Sequence, residues 1–421
     1  MTSLDDQAKA ILRGNDKGGY TLPTHGLYPY QWNWDSAFAA WGFSTFDNAR
    51  AWDELDTLMA SQWDDGMVPH IIFHQPDPGY FPGPDVWQTG QSPATSGITQ
   101  PPVAASMARR IWDSDRDAGQ TRIAALYPKL LKWHRWWHEA RCTHGPAAIT
   151  HPWESGRDNC PDWDIGMVNV DGSGAGEYTR RDTGHVNPEM RPTKEDYDRY
   201  IAIVKYGVSV GWNPEKIVAE GPFLMADPGI TFILLRAHDD LAAIGRELGE
   251  DVSEIEGWAN ALRASLPLIW NDALGAYDAR DLRTGAFANV LGSGAFLAYL
   301  AGAGNPQLDK QLMRAWDKVT YGIPSADPEA PIFNPRKYWR GPTWPVVNAL
   351  IAIGLEDSGH HDLMERLRAE TAALIRKHGF YEYFDPIDAT PCGGADFTWT
   401  AAIWLTWAGQ DPQPVTEKGA A

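Results

Sequence analysis

Through most of this 421-residue chain, apolar residues recur three and four positions apart, the spacing that gathers them on one stripe of an α-helix. After His360, for example, Leu363, Leu367 and Leu374 fall on one face with Met364 beside them. The pattern predicts helices over 2–14, 35–45, 48–62, 100–114, 121–141 and 228–248, then over 252–270, 288–301, 307–319, 343–356, 360–378 and 396–408. Twelve helices make six antiparallel pairs. Such pairs can close into an all-α (α/α)6 barrel, with one helix of each pair inside and its partner outside. Helix count alone does not choose this fold, because bundles and solenoids also pair helices. No fixed-period repeat supports a solenoid.

Two stretches break the helical rhythm. Residues 64–99 are rich in Pro, Gly and aromatics, which predicts a long ordered loop. Residues 145–227 hold few helical patterns beyond about 194–208. Long excursions at one end of a helical scaffold tend to carry function. The chain length suits one large catalytic domain with an insertion. We therefore expect a barrel from 1–144 and 228–421, with 145–227 as a cap over its mouth.

The formal charge of -19, with 36 basic residues against 55 acidic ones, argues against nucleic acid as a partner, since phosphates need clustered Lys and Arg. The N-terminus is polar and helix-like, without the basic start and apolar run of a secretory signal, and no stretch approaches 18 apolar residues. The expectation is a soluble cytoplasmic protein without membrane contact, and the sequence leaves a homo-oligomer open. Cys142, Cys160 and Cys392 form no CxxC pair and read as buried, inert thiols.

Tryptophan is in excess at 21 residues, beside 15 Tyr and 13 Phe. An indole offers a flat apolar face and one N–H donor, which suits the C–H face of a pyranose ring, although core packing accounts for most such residues. Breaking a glycosidic bond takes one acid to protonate the leaving oxygen and one carboxylate for the other face of the sugar. Two segments place carboxylates among aromatics and turns. In HPWESGRDNCPDWD (151–164), a loop acid flanked by Pro, Gly and Trp can be desolvated and kept protonated, or can be a plain hydrogen-bonded loop group. In GFYEYFDP (379–386), Glu382 stands between two tyrosines, where a charge must be functional or paired with an Arg.

Together with YPYQWNWDSAF (28–38), NPRKYWRGPTWPVVN (334–348) and the later FTWTAA, these segments resemble glycoside hydrolase family 63. They look most like its short bacterial members that hydrolyse glucosylglycerate and mannosylglycerate. The resemblance runs from about residue 20 to 408, with the motifs in the family's order. It implies an (α/α)6 barrel with a cap, an inverting mechanism and no metal or organic cofactor. By motif, Asp158 matches the family's general acid and Glu382 its general base. Inversion then calls for a carboxyl separation of roughly 6.5–9.5 Å, to leave room for water. Trp32, Trp34 and Asp35 match the hexose-binding WNWD segment, and Trp153, Tyr338, Trp339 and Trp344 match other aromatic positions of the sugar pocket. Arg191 and Tyr197 resemble the glycerate-binding pair, with Tyr28, Tyr80 and Gln100 as companions. A substrate carboxylate suits the Arg fork. The chain lacks the added domains of the family's large processing glucosidases, which favours a small anionic glycoside over an N-glycan.

The alternative within enzymes is an α-glucosidase or trehalase-like hydrolase acting on a neutral disaccharide, which would leave Arg191 without a carboxylate to bind. A sugar-binding protein without catalysis is disfavoured by the intact acid pair. An isoprenoid cyclase lacks its DDxxD or DxDD motif here. His70 and His74 read as parts of an extended segment rather than as a metal pair, and GSGAGE (172–177) lacks the GK[ST] of a phosphate loop.

Overall fold

Helices apolar on every side have to be surrounded by protein, and helices with one apolar stripe are suited to surround them. The computed structural model describes residues 3–410, and among these residues twelve helices sort themselves in this way. In chain order they are α1 (Leu4–Asn15), α2 (Asn33–Phe43), α3 (Asn48–Ala60), α4 (Ala104–Ser114), α5 (Arg116–Arg141) and α6 (Pro228–Leu248). Then follow α7 (Ser253–Ser265), α8 (Ser293–Phe296, continued as a 3-10 turn over Leu297–Ala301), α9 (Pro306–Trp316), α10 (Pro345–Asp357), α11 (His361–His378) and α12 (Thr398–Ile403, continued as a π turn over Trp404–Ala408). Every residue of α2 is buried, as is α10 from Pro345 to Leu355.

The even-numbered helices form the inner ring. Each packs on the next, and α12 returns to α2, so the ring closes. The odd-numbered helices lie outside, with α3 against α2, α5 against α4, α7 against α6, α11 against α10 and α1 against α12. Helix α9 presents Leu308, Leu312 and Trp316 inward. This is the (α/α)6 barrel, and no helix among the described residues is long and apolar enough to cross a membrane.

Helix ends shifted from expectation where local chemistry overrode periodicity. The stretch expected to be helical over 288–301 starts only at Ser293, because Asn289 takes a left-handed φ of 58° and gives its N–H to Asp278. The helix expected to reach 270 changes at Ser265, just ahead of Pro267, from an α-helix to a 3-10 turn over Leu266–Ile269. Pro101 and Pro102 delay α4 to Ala104. The expected start of the first helix at residue 2 lies outside the described residues.

Connections at the two ends of the barrel differ sharply. Inner helices hand over to outer ones through 44–47, 115, 249–252, 302–305 and 358–360. Asp47, Asp115 and Asn305 cap the following helices there with their side chains, while Gly249, at φ 80°, closes α6 in the left-handed conformation that suits glycine. Outer helices reach inner ones through the long segments 16–32, 61–103, 142–227, 266–292, 317–344 and 379–397. All inner-ring N-termini therefore face the end where the long segments gather.

Short strands tie those segments together. Gln31–Trp32, Ile71–Phe73 and Ala94–Thr95 form an antiparallel sheet in which Trp32 faces Ile71 and Ile72 faces Thr95. Ala148–Ile149 pairs with Met225–Ala226, so the chain leaves and re-enters the barrel side by side around its longest excursion. Within that excursion Lys194–Ser209 is helical, opened by a capping box between Thr193 and Asp196. Helix Pro214–Glu220, which the sequence pattern missed, follows it.

Candidate active site

The long segments line a hollow of about 790 Å3, the open solvent at its mouth included. Its lining comes from the segments leading into α2, α4, α6, α10 and α12, and it includes Tyr28, Trp32, Trp34, Asp35, Tyr80, Gln100, Trp153, Asp158, Arg191, Tyr197, Tyr338 and Glu382. Residues from opposite ends of the chain thus meet at one spot. Trp339 and Trp344 are not on the lining. They stack on each other at 3.7 Å and 3°, with Tyr383 on the far face of Trp344 at 4.4 Å, and so stand behind Tyr338 as wall. Both indole N–H groups are buried without a hydrogen-bond partner among the described residues.

The two acids face different surroundings. Burial lifts Asp158 to about 7, against the pull of the Arg191 cation, while negative Glu382 adds to the lift. It therefore holds a proton near neutrality. Glu382 is also raised by burial, but Arg191, the Gly394 amide and the Tyr28 hydroxyl favour its ionised form. Gly394 N donates to Oε2 at 3.0 Å and Tyr28 Oη donates to Oε1 at 2.9 Å. A third carboxyl, Asp35, is pushed well above its usual range by burial and by the neighbouring Glu382. Protonated, Asp35 can donate to a hydroxyl.

Arg191 is 5% exposed. Its Nε donates to Asp182 at 2.9 Å and its Nη2 to Tyr28 Oη at 3.0 Å. Nη1 lies 3.7 Å from Glu382 Oε1, too far for a hydrogen bond, and has no hydrogen-bond partner among the described residues. Although burial pushes it up, Asp182 is held at about 2 by Arg191 and Arg180. Tyr197 donates to Phe81 O at 3.3 Å and carries the Arg180 guanidinium over its ring at 4.3 Å. Gln100 Oε1 accepts from Trp34 N at 3.3 Å, fixing the start of α2. Trp153 packs against Tyr197 and Tyr200 of helix Lys194–Ser209, at 5.6 and 5.5 Å.

The segment that carries Asp158 is clamped at two buried points. Glu154 receives a forked contact from Arg141 of α5 and two hydrogen bonds from Thr150. Arg157 donates to Asp227, the N-cap of α6, at 2.6 Å and lies 3.6 Å from Asp162. Gly294 makes room for that guanidinium, since a Cβ there would come within 2.6 Å of Arg157 Nη1. Tyr200 Oη donates to Asp158 O at 3.1 Å.

Glu382 is held just as closely. Gly393, at φ 72°, presses against it, and a Cβ there would lie 2.3 Å from Oε2. Gly393→Ala is therefore expected to lower kcat by about 10²-fold, the cost of an ångström of misplacement, with the unfolding midpoint changed far less. Steady-state kinetics beside urea unfolding checks this. A kcat within threefold of the parent would show that Glu382 has slack.

Sequence reasoning missed several lining groups. Arg181, which bridges to Asp77 across the mouth, and Asp182 belong to a stretch without periodicity, and their only signal is the adjacent Arg180-Arg181-Asp182. Phe397 and Trp399 sit in the quoted FTWTAA segment, and Trp399 Nε1 donates to Glu382 O at 3.1 Å. His70 lines the cavity with Nδ1 on Ser96 at 3.2 Å, whereas His74 turns to Gln31 at 2.7 Å. Among the described residues no group of three or more His, Cys, Asp or Glu is arranged to hold a metal. Cys142, Cys160 and Cys392 are free and buried.

A carboxyl holding its proton near neutrality, a second whose neighbours Arg191, Gly394 and Tyr28 favour its ionised form, and an aromatic hollow that both line at the end of a helical double ring define a glycoside hydrolase. Residues 28–400 match the mannosylglycerate hydrolase MGH1-like glycoside hydrolase domain. A mannosylglycerate hydrolase of Thermus thermophilus is 44% identical, across 95% of this chain and 99% of that protein. A glucosylglycerate hydrolase of Mycolicibacterium hassiacum is 34% identical, across 97% and 98%. The crystal structure of the GH63 mannosylglycerate hydrolase from Thermus thermophilus in complex with Tris and D-glycerate superposes with a TM-score of 0.93 at 44% identity, covering 96% of this chain and 99% of that one. The chain belongs to glycoside hydrolase family 63, in its mannosylglycerate hydrolase-like branch.

Proposed function

We propose that this enzyme hydrolyses the α-glycosidic bond of a hexosylglycerate, glucosyl or mannosyl, and releases hexose and glycerate with inversion. The observation that carries the reading is Arg191, a buried cation on the cavity wall whose Nη1 makes no hydrogen bond among the described residues and lies beside the carboxylate that would serve as base. A neutral disaccharide has nothing to offer it. The activities named for the two relatives support the same substrate class.

In this reading Asp158 gives its proton to the glycosidic oxygen as that bond breaks. Glu382 takes a proton from a water whose oxygen bonds to the anomeric carbon from the opposite face. Trp32, Trp34, Asp35, Trp153 and Tyr338 hold the hexose, with Trp339 and Trp344 supporting Tyr338 from behind. Arg191, Tyr197, Tyr28 and Tyr80 take the glycerate, and Gln100 acts from beside Trp34. Residues 145–227 serve as the cap. Two carboxyls and a water complete the chemistry, so it calls for no metal or organic cofactor. Three free thiols suit a reducing compartment, in keeping with a cytoplasmic enzyme.

Arg191→Ala is expected to reduce kcat/KM for hexosylglycerate by about 10²-fold, mainly through KM, since it removes one partner of a buried charge pair. An equal loss on a neutral disaccharide such as trehalose would refute the glycerate role. NMR of the first anomer released from each glycosylglycerate ranks the two hexoses and is expected to show the β-anomer first.

A further inference from the structure

Arg191 is wired to both carboxyls, each time through a tyrosine. Toward Glu382 the chain runs from Nη2 to Tyr28 Oη at 3.0 Å and from that hydroxyl to Oε1 at 2.9 Å, with Nη1 itself 3.7 Å from the same oxygen. Toward Asp158, the guanidinium lies 4.0 Å over the ring of Tyr338, whose hydroxyl reaches Oδ2 at 3.4 Å. A cation so placed favours the ionised form of both acids. That field weakens the base, and it loosens the proton that the acid has to deliver.

We propose that the substrate's own carboxylate, by pairing with Arg191, cancels this field and so makes Glu382 the stronger base and Asp158 the firmer proton holder. An anionic aglycone then promotes the chemical step in addition to binding. This rests on the hexosylglycerate reading and adds a use for the charge that reading assigns to Arg191.

The other groups facing the three residues do not complete this cancellation, although Asp182 offsets part of the field at Glu382. Asp182 already engages Nε, shares itself with Arg180, and leaves Nη1 without a hydrogen bond among the described residues. Arg181 is bound to Asp77 at the mouth. Asp35 on α2 is held neutral by burial, and His70 is neutral for the same reason. The phenols of Tyr28, Tyr197, Tyr338 and Tyr383, and of Tyr200 behind Asp158, are all raised by burial and stay neutral.

The sign of the effect is fixed. Activity needs Glu382 ionised, which sets the acid limb of a pH profile, and Asp158 protonated, which sets the alkaline limb. Cancelling Arg191 raises both proton affinities, so both limbs of kcat move to higher pH. With wild-type enzyme above pH 5, the kcat profile for hexosylglycerate is expected to lie about one pH unit above that for its neutral amide. The kcat/KM profiles, which report the free enzyme, are expected to coincide. Coincident kcat profiles would overturn the inference while leaving the hydrolase reading intact. Absence of hexosylglycerate hydrolysis would remove both.

A second measurement does not depend on turnover of the amide. Binding of glycerate to wild-type enzyme near pH 7 is expected to take up protons, read by calorimetry in buffers of different ionisation heat, and Arg191→Gln is expected to abolish the uptake. Glycerate binding without proton uptake would sink the proposal.

Discussion

Glu382→Gln and Asp158→Asn are each expected to lower kcat by about 10³-fold while leaving substrate binding within a few-fold of the parent. Both replacements keep the shape of the side chain. The amide that replaces the Glu382 carboxylate has one acceptor oxygen, so it would keep the bond from either the Tyr28 hydroxyl or the Gly394 N–H and turn its NH2 to the other, and it could not take a proton from water. The amide that replaces the Asp158 carboxyl could hydrogen-bond the glycosidic oxygen without delivering a proton to it. Burial and Glu382 keep Asp158 protonated up to about 7, so the alkaline limb of the parent profile belongs to Asp158. In Asp158→Asn that limb is expected to vanish along with most of the rate. Calorimetric binding beside steady-state kinetics distinguishes lost chemistry from lost fold. Turnover above a tenth of the parent in either variant would remove that residue from its role.

Arg157→Ala is expected to cost about 3–5 kcal/mol of stability, the usual penalty for stranding a buried charge. Arg157 and Asp227 are both almost fully shielded from solvent and meet at 2.6 Å, with Asp162 close by. Without the guanidinium, Asp227 caps α6 as a buried anion facing a second carboxylate. Because Arg157 directly precedes Asp158, kcat is expected to fall as well, and Arg157→Lys is expected to restore part of the stability but less of the rate, since a single ammonium cannot reach both carboxylates in the fork's geometry. Urea unfolding monitored through the tryptophans measures the first effect. An unchanged midpoint would mean that the loop is held by Arg141 and Glu154 alone.

The barrel was legible in the sequence because its signal is periodic and repeated: each of the twelve predicted helices overlaps one in the structure. Errors fell where a single residue governs the backbone, as at Asn289 and Pro267, since a window of apolar spacing averages over such positions. The segments that hold Asp158 and Glu382 stood out for a different reason. Both are short and crowded with aromatics and turn residues, where an unpaired charge is costly, and the family resemblance then pointed to one acid in each. The depth of a side chain in a wall is a matter of three dimensions, so nothing in the sequence set Trp339 and Trp344 apart from Trp153. Asp182 was invisible because its meaning comes from Arg191, nine positions away across a stretch without periodicity.

The return of α12 to α2 also bears on how such a protein is made. Asn15 bonds to Thr398 and to Asp396 O, and Tyr28 meets Glu382 across 354 positions, so the last helices complete contacts that the first ones wait for. A nascent chain emerging as far as α10 has five of six inner staves, an open seam along α2, and no base. Function therefore switches on only after synthesis has passed α12, and the unfilled seam is the surface that a growing chain must keep from sticking to its neighbours.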